Sequence, residues 1–137
     1  MPKASVGRVI AAVVAGWIAN AILTGVTELL LWTSMRSPGG QHHPDKYYVI
    51  DLICQCGYTV FGGYLCCMIA SPARRAAIFG MICLGLAVGG LSMPSSWPRE
   101  PHWYRIILLL EWAPCVWIGW RLRSHRAVAI APAGSAV

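Results

Sequence analysis

Charge is what this sequence has least of. Asp, Glu, Lys and Arg make up 12% of its 137 residues, against about 25% in soluble globular chains. Acidic groups are the scarcest, five in all: Glu28, Asp45, Asp51, Glu100 and Glu111. A chain this short has a high ratio of surface to volume, and it cannot hide an apolar fraction of 57% from water behind so few charges. An ordinary water-soluble domain is thereby excluded. Catalytic signatures are missing as well: the chain has no G-x-S-x-G turn, no phosphate-cradling glycine loop and no C-x-x-C-H haem attachment. No catalytic residue and no cofactor is assigned.

Metal-binding patterns are equally scarce. The histidines form no H-x-x-x-H or H-E-x-x-H spacing, and Cys54-x-Cys56 and Cys66-Cys67 miss the C-x2-4-C pairing of zinc sites. All six cysteines (Cys54, Cys56, Cys66, Cys67, Cys83 and Cys115) lie within apolar runs. There a thiol serves as a small hydrophobe that lets helices approach, so no metal is expected. The net charge of +6 gathers at the ends of the apolar runs rather than in a basic stripe, which argues against nucleic acid as a partner and for lipid head groups.

What the sequence does have is long apolar runs, over 9–32, 48–70, 76–93 and 104–120. Runs of about 17–24 residues, at 1.5 Å rise per residue, match the roughly 30 Å hydrocarbon core of a bilayer. Spanning strands would alternate polar and apolar residues over about ten positions, and none of these runs alternates. The fold class expected is therefore all-α, an integral membrane four-helix bundle over 1–126, with a short disordered tail over 127–137. Lys3 and Arg8, the apolar stretch and Ala19-Asn20-Ala21 imitate a secretory signal. The run continues well past Ala21 to Trp32, so it reads as an uncleaved first helix. Ser37-Pro38-Gly39-Gly40, the basic turn Ser71–Arg75 and the proline-rich stretch Pro94–Pro101 supply the loops.

Orientation follows from Lys and Arg near the helix ends. With both termini cytoplasmic, Lys3, Arg8, Arg74, Arg75, Arg121, Arg123 and Arg126 lie inside, and Arg36, Lys46, Arg99 and Arg105 outside. Tyr47, Tyr48, Trp97, Trp103 and Tyr104 then belong to the outer interface. Small residues recur at helix-packing spacing: Gly85 with Gly89, Ala21 with Gly25, and Cys115 with Gly119. Gly62-Gly63 thins the second helix, and Pro114 is expected to kink the fourth.

Carboxylates at membrane depth are costly, up to about 3 kcal/mol each on the insertion scale, and ask for a partner or a purpose. Glu28, Asp51 and Glu111 qualify. On the first helix Asn20, Thr24, Thr27 and Glu28 share a face; on the second, Asp51, Gln55 and Tyr58 do. Two polar faces on adjacent antiparallel helices most economically meet. The expected polar site is therefore Glu28, Asp51, Gln55, Tyr58 and Glu111, with His42, His43, Lys46, His102 and Arg105 above it on the outer side. Such a cluster serves either as internal glue between helices, with Glu28 or Asp51 neutral or paired to Arg105 or Lys46, or as a polar pocket open to the outside. A metal held by the outer histidines is the weaker use of it. Proton-coupled transport through Glu28 is another, in a layout similar to small multidrug transporters, which also have four short helices and a glutamate in the first.

The second half carries a run of motifs: Gly57, Gly62-Gly63, Ile69-Ala70, a basic turn, then Gly85, Gly89-Gly90-Leu91-Ser92-Met93-Pro94, Pro101-His102-Trp103, and finally Pro114 and Gly119-Trp120-Arg121-Leu122. Over about the last 80 residues it resembles a widespread group of uncharacterised bacterial membrane proteins. These have four helices, a Met-, Pro-, His- and Trp-rich outer loop before the last one, and an acidic residue late in the first, a position Glu28 matches. The segment Ser95–Glu100 is an insertion relative to that loop, and the cysteine pairs and Asp51 are not features of the group. The resemblance implies fold and a bacterial inner membrane, without an activity. The expectation is a non-enzymatic multi-pass protein of the inner membrane, self-associating or an accessory subunit of a larger membrane complex. A proton-coupled small-molecule transporter is the alternative.

Overall fold

The computed structural model describes residues 6–35, 43–71, 73–97 and 100–129, the last five by backbone alone. These residues form four helices: α1 (Val6–Ser34), α2 (Asp45–Ile69), α3 (Arg74–Ser96) and α4 (His102–Ala129). No strand occurs among the described residues. The helices are 29, 25, 23 and 28 residues long. Three of them, α1, α2 and α3, are long and apolar enough to cross a membrane. α4 has the length, but Arg105, Glu111, Arg121 and Arg123 dilute its apolar character.

α1, α3 and α4 outrun at both ends the apolar stretches that announced them, and α2 does so at its start, because backbone hydrogen bonds continue through polar flanks. Pro44, at φ −64°, precedes α2, and Asp45 occupies the first turn, where an acidic side chain complements the helix dipole. The expected loop from Pro94 is corrected by the structure: α3 runs through Pro94 to Ser96. Proline removes one backbone donor there, and serine hydroxyls bond back to the carbonyls of the same turns. Ser92 donates to the Gly89 carbonyl at 2.9 Å, Ser95 to Ser92 at 2.8 Å, and Ser96 to Ser92 at 3.0 Å. Residues 127–129, expected to belong to the tail, are helical; 130–137 lie outside the described residues.

α2 stands between α1 and α4, while α3 packs on all the others; α1 and α4 do not meet among the described residues. Partners such as Arg8 with Ile69 and Thr24 with Gln55 run in opposite order, so α1 and α2 are antiparallel. Asp51 with Tyr104 and Cys56 with Glu111 run in the same order, so α2 and α4 are parallel.

Glycine sets the closest approach. A Cβ on Gly16 would lie 2.7 Å from the Gly62 carbonyl oxygen, and one on Gly62 would lie 2.8 Å from that of Gly16. Backbones can come this near only where both side chains are absent. On α3, the Trp112 indole occupies the space where a side chain on Gly85 would sit, and its Nε1 donates to the Met81 carbonyl at 3.2 Å. Cys115 and Gly119 both belong to the α4 face toward α2, with Gly119 against the backbone of Val60 and Tyr64. The third small-residue pair behaves differently. Ala21 is exposed, and nothing lies within 4 Å of a Cβ on Gly25.

The apolar core occupies the half of the bundle near the α2–α3 turn, where Ala12, Cys66, Cys67, Ala77, Met81 and Val116 are fully buried. The outward surface is apolar too: Leu91 is 82% exposed, Phe79 71% and Leu110 69%.

Candidate functional site

The other half of the bundle holds a polar seam along α2. Asp51, 1% exposed, accepts a hydrogen bond on Oδ2 from the Tyr104 hydroxyl of α4, while its Oδ1 has no hydrogen-bond partner. Tyr48 packs on Tyr104 with ring centroids 5.1 Å apart and meets Trp103 edge-on at 6.4 Å. These rings roof the carboxylate. One turn further, the Thr24 hydroxyl donates to Gln55 Oε1 at 2.7 Å, and Thr27 and Tyr58 share a hydrogen bond of 2.6 Å between their hydroxyls. The polar faces of α1 and α2 therefore do meet, through Thr24, Thr27, Gln55 and Tyr58.

Asp51 departs from that pairing. Residues four apart on a helix differ by about 40° around its axis, and α2 is flanked on both sides. Gln55 consequently reaches α1 while Asp51 reaches α4. Glu28 is exposed on α1 with no hydrogen bond or ion pair among the described residues. Glu111 accepts from the Cys56 thiol, with Cys115 beside both. The carboxylates expected to converge thus occupy three separate settings.

The outer-side partners are also dispersed. Arg105 pairs with Glu100, its Nη2 donating to Oε1 at 2.6 Å. His43 stacks on Tyr47 and His102 on Trp97, each at 4.2 Å between centroids. Lys46 is exposed, and His42 lies outside the described residues. No histidine–carboxylate cluster forms among the described residues.

A cavity of about 140 Å³ opens between α2, α3 and α4. Its polar lining is Gln55, Thr59, Ser92, Arg105 and Glu111; Met93, Leu108 and Trp112 are among the apolar walls. Thr59 is 0% exposed and its hydroxyl has no hydrogen-bond partner. Glu28, Asp51 and Tyr58 do not line this space. Sequence reasoning missed Tyr104, Thr59, Cys56 and Cys115. Only Glu111 and Cys115, four apart on one helix face, left a trace of their neighbourhood. The rest depends on which helices pack.

Fold and site define an all-helical protein that buries a polar seam inside a bundle with an apolar exterior. No family model, curated protein or solved structure matches the chain.

Proposed function

We propose that the chain is a multi-pass membrane protein of a bacterial inner membrane, crossing the bilayer four times with both termini cytoplasmic. It acts without catalysis, as a subunit that associates with copies of itself or with a larger membrane assembly. The membrane reading is supported by the outward display of Leu91, Phe79 and Leu110. Moving one such side chain out of water is worth roughly 1.5–3 kcal/mol, so a surface of them favours lipid. The four-helix layout agrees with the resemblance carried by the second half. The preponderance of Lys and Arg at the α2–α3 turn and the ends of α1 and α4 supports the orientation.

The single observation that carries association is the outer face of α1. Ala21, Gly25 and Glu28 line up at i, i+4 and i+7 and are exposed, combining a small-residue surface with a carboxylate that has no ion pair among the described residues and that lipid cannot solvate. Crosslinking in native membranes tests the reading. Adducts of higher mass that weaken in Gly25→Leu are expected, and monomer alone at every crosslinker length overturns it.

The cavity favours a second reading, proton-coupled transport of a small molecule. Glu111 lines it and Glu28 does not, so flux in proteoliposomes that is lost in Glu111→Gln and kept in Glu28→Gln would select transport through the cavity.

A further inference from the structure

Two thiols and a carboxylate from opposite helices meet beside the cavity. The Cys56 Sγ, a carboxylate oxygen of Glu111 and the Cys115 Sγ all lie within 4.8 Å of one another. Glu111 and Cys115 are four apart on α4 and project from one face; Cys56 comes from α2 and already donates to Glu111. In a tetrahedral zinc site with Zn–S near 2.3 Å and Zn–O near 2.0 Å, neighbouring ligand atoms are ~3.5–3.8 Å apart. To admit one ion, the widest pair must close by about an ångström and the hydrogen-bonded Cys56 and Glu111 must part by about as much.

We propose that Cys56, Cys115 and Glu111 form a binding site for a thiophilic divalent cation of the zinc type, three protein ligands with the fourth position facing the cavity. The ligand set selects the metal class. Thiolates reject magnesium and calcium, which take oxygen ligands, while a carboxylate as third ligand fits zinc better than copper(I). An independent feature points to a ligand in the same space. The Thr59 hydroxyl, fully buried and without a partner, lines the cavity alongside Glu111. Buried polar groups are ordinarily hydrogen-bonded, and a metal-bound water in the open position supplies what Thr59 lacks.

Charge and protons balance simply. Both thiols give up a proton to become ligands, and Glu111 binds as carboxylate. A divalent ion with two thiolates and one carboxylate carries a net charge of −1. The Arg105 guanidinium lines the same cavity but is already paired with Glu100, so a neutral water as fourth ligand leaves the site at −1.

The site is independent of how the chain associates, so its test leaves the subunit reading untouched. Full-length protein in detergent, reduced and stripped with a chelator, is titrated with zinc against a chromophoric competitor, and with cobalt as a spectroscopic probe. The expected result is one zinc per chain and a thiolate-to-cobalt charge-transfer band. Cys56→Ser, Cys115→Ser and Glu111→Gln should each weaken zinc by at least the roughly 10–100-fold that loss of an outer-shell partner costs. Cys54→Ser and Cys83→Ser should leave it unchanged. Should those variants misfold, the unmodified chain still decides: bound zinc should slow alkylation of Cys56 and Cys115 but not of the exposed Cys83. Absence of stoichiometric zinc, equal protection of all thiols, or equal loss in the Cys54 and Cys83 variants overturns the site. Copper(I) bound more tightly than zinc, with no effect of Glu111→Gln, overturns the carboxylate's role and the metal class.

Discussion

The Tyr104 hydroxyl donates to Oδ2 of Asp51, joining the first turn of α4 to the second turn of α2 within a buried aromatic setting. Asp51 has no other side-chain partner, and its Oδ1 is unsatisfied. Among the described residues, this is the one side-chain hydrogen bond that holds the buried acidic group.

Tyr104→Phe keeps the ring and removes that donor. Leaving a buried acceptor unmatched costs about 1–3 kcal/mol, so the variant should unfold at lower temperature or denaturant in detergent, followed by helical circular dichroism. Tyr104→Phe combined with Asp51→Leu, which removes donor and acceptor together, should lose less than Tyr104→Phe alone. Equal stability of Tyr104→Phe and the parent chain would refute the bond.

Glycine substitutions should separate sharply by position. Gly16→Ala and Gly62→Ala each push a methyl group to within 2.7–2.8 Å of the opposite backbone oxygen, and should destabilise by about 1–3 kcal/mol, as overpacking does. Gly25→Ala meets open space and should stabilise by up to roughly 1 kcal/mol through helix propensity. The same unfolding assay compares them, and loss at Gly25 equal to that at Gly16 would contradict the packing.

Trp112→Phe should be more harmful than its apolar similarity implies. It abandons the Nε1 bond to the Met81 carbonyl and part of the volume against Gly85, for a combined loss of about 1–3 kcal/mol. Gly85→Ala should be worse still, because the indole stands where the methyl would go. A near-neutral Gly85→Ala would show that α3 and α4 are farther apart.

Topology has its own measurement. In a background without the native cysteines, Pro44→Cys should react with a membrane-impermeant thiol reagent added to intact cells. Ser71→Cys should react only after permeabilisation. Labelling in the reverse pattern would invert the proposed orientation and put the polar seam at the cytoplasmic side.

The four helices were legible because apolar runs of membrane length leave little alternative, and their order followed directly. Helix ends were not, because the apolar pattern stops before the backbone does; Pro94 looks like a terminator until the serines around it are seen to bond back into the helix. The α1–α2 contact through Thr24, Thr27, Gln55 and Tyr58 follows from helical spacing within each run. Asp51, Glu28 and Glu111 were grouped by depth, but depth says nothing of azimuth around a helix flanked on two sides. Cys56 and Cys115 are 59 positions apart in number, and only the parallel packing of α2 on α4 gives them a common neighbour.

Because α1 touches α2 and α3 but, among the described residues, never α4, the two hydrogen-bonded systems of α2 are mechanically separable. Sliding or replacing the first helix breaks the threonine contacts while Tyr104, Glu111 and Cys115 keep their hold on the opposite flank. Loss of the α1 contacts would therefore leave the chemistry between α2 and α4 with its own partners.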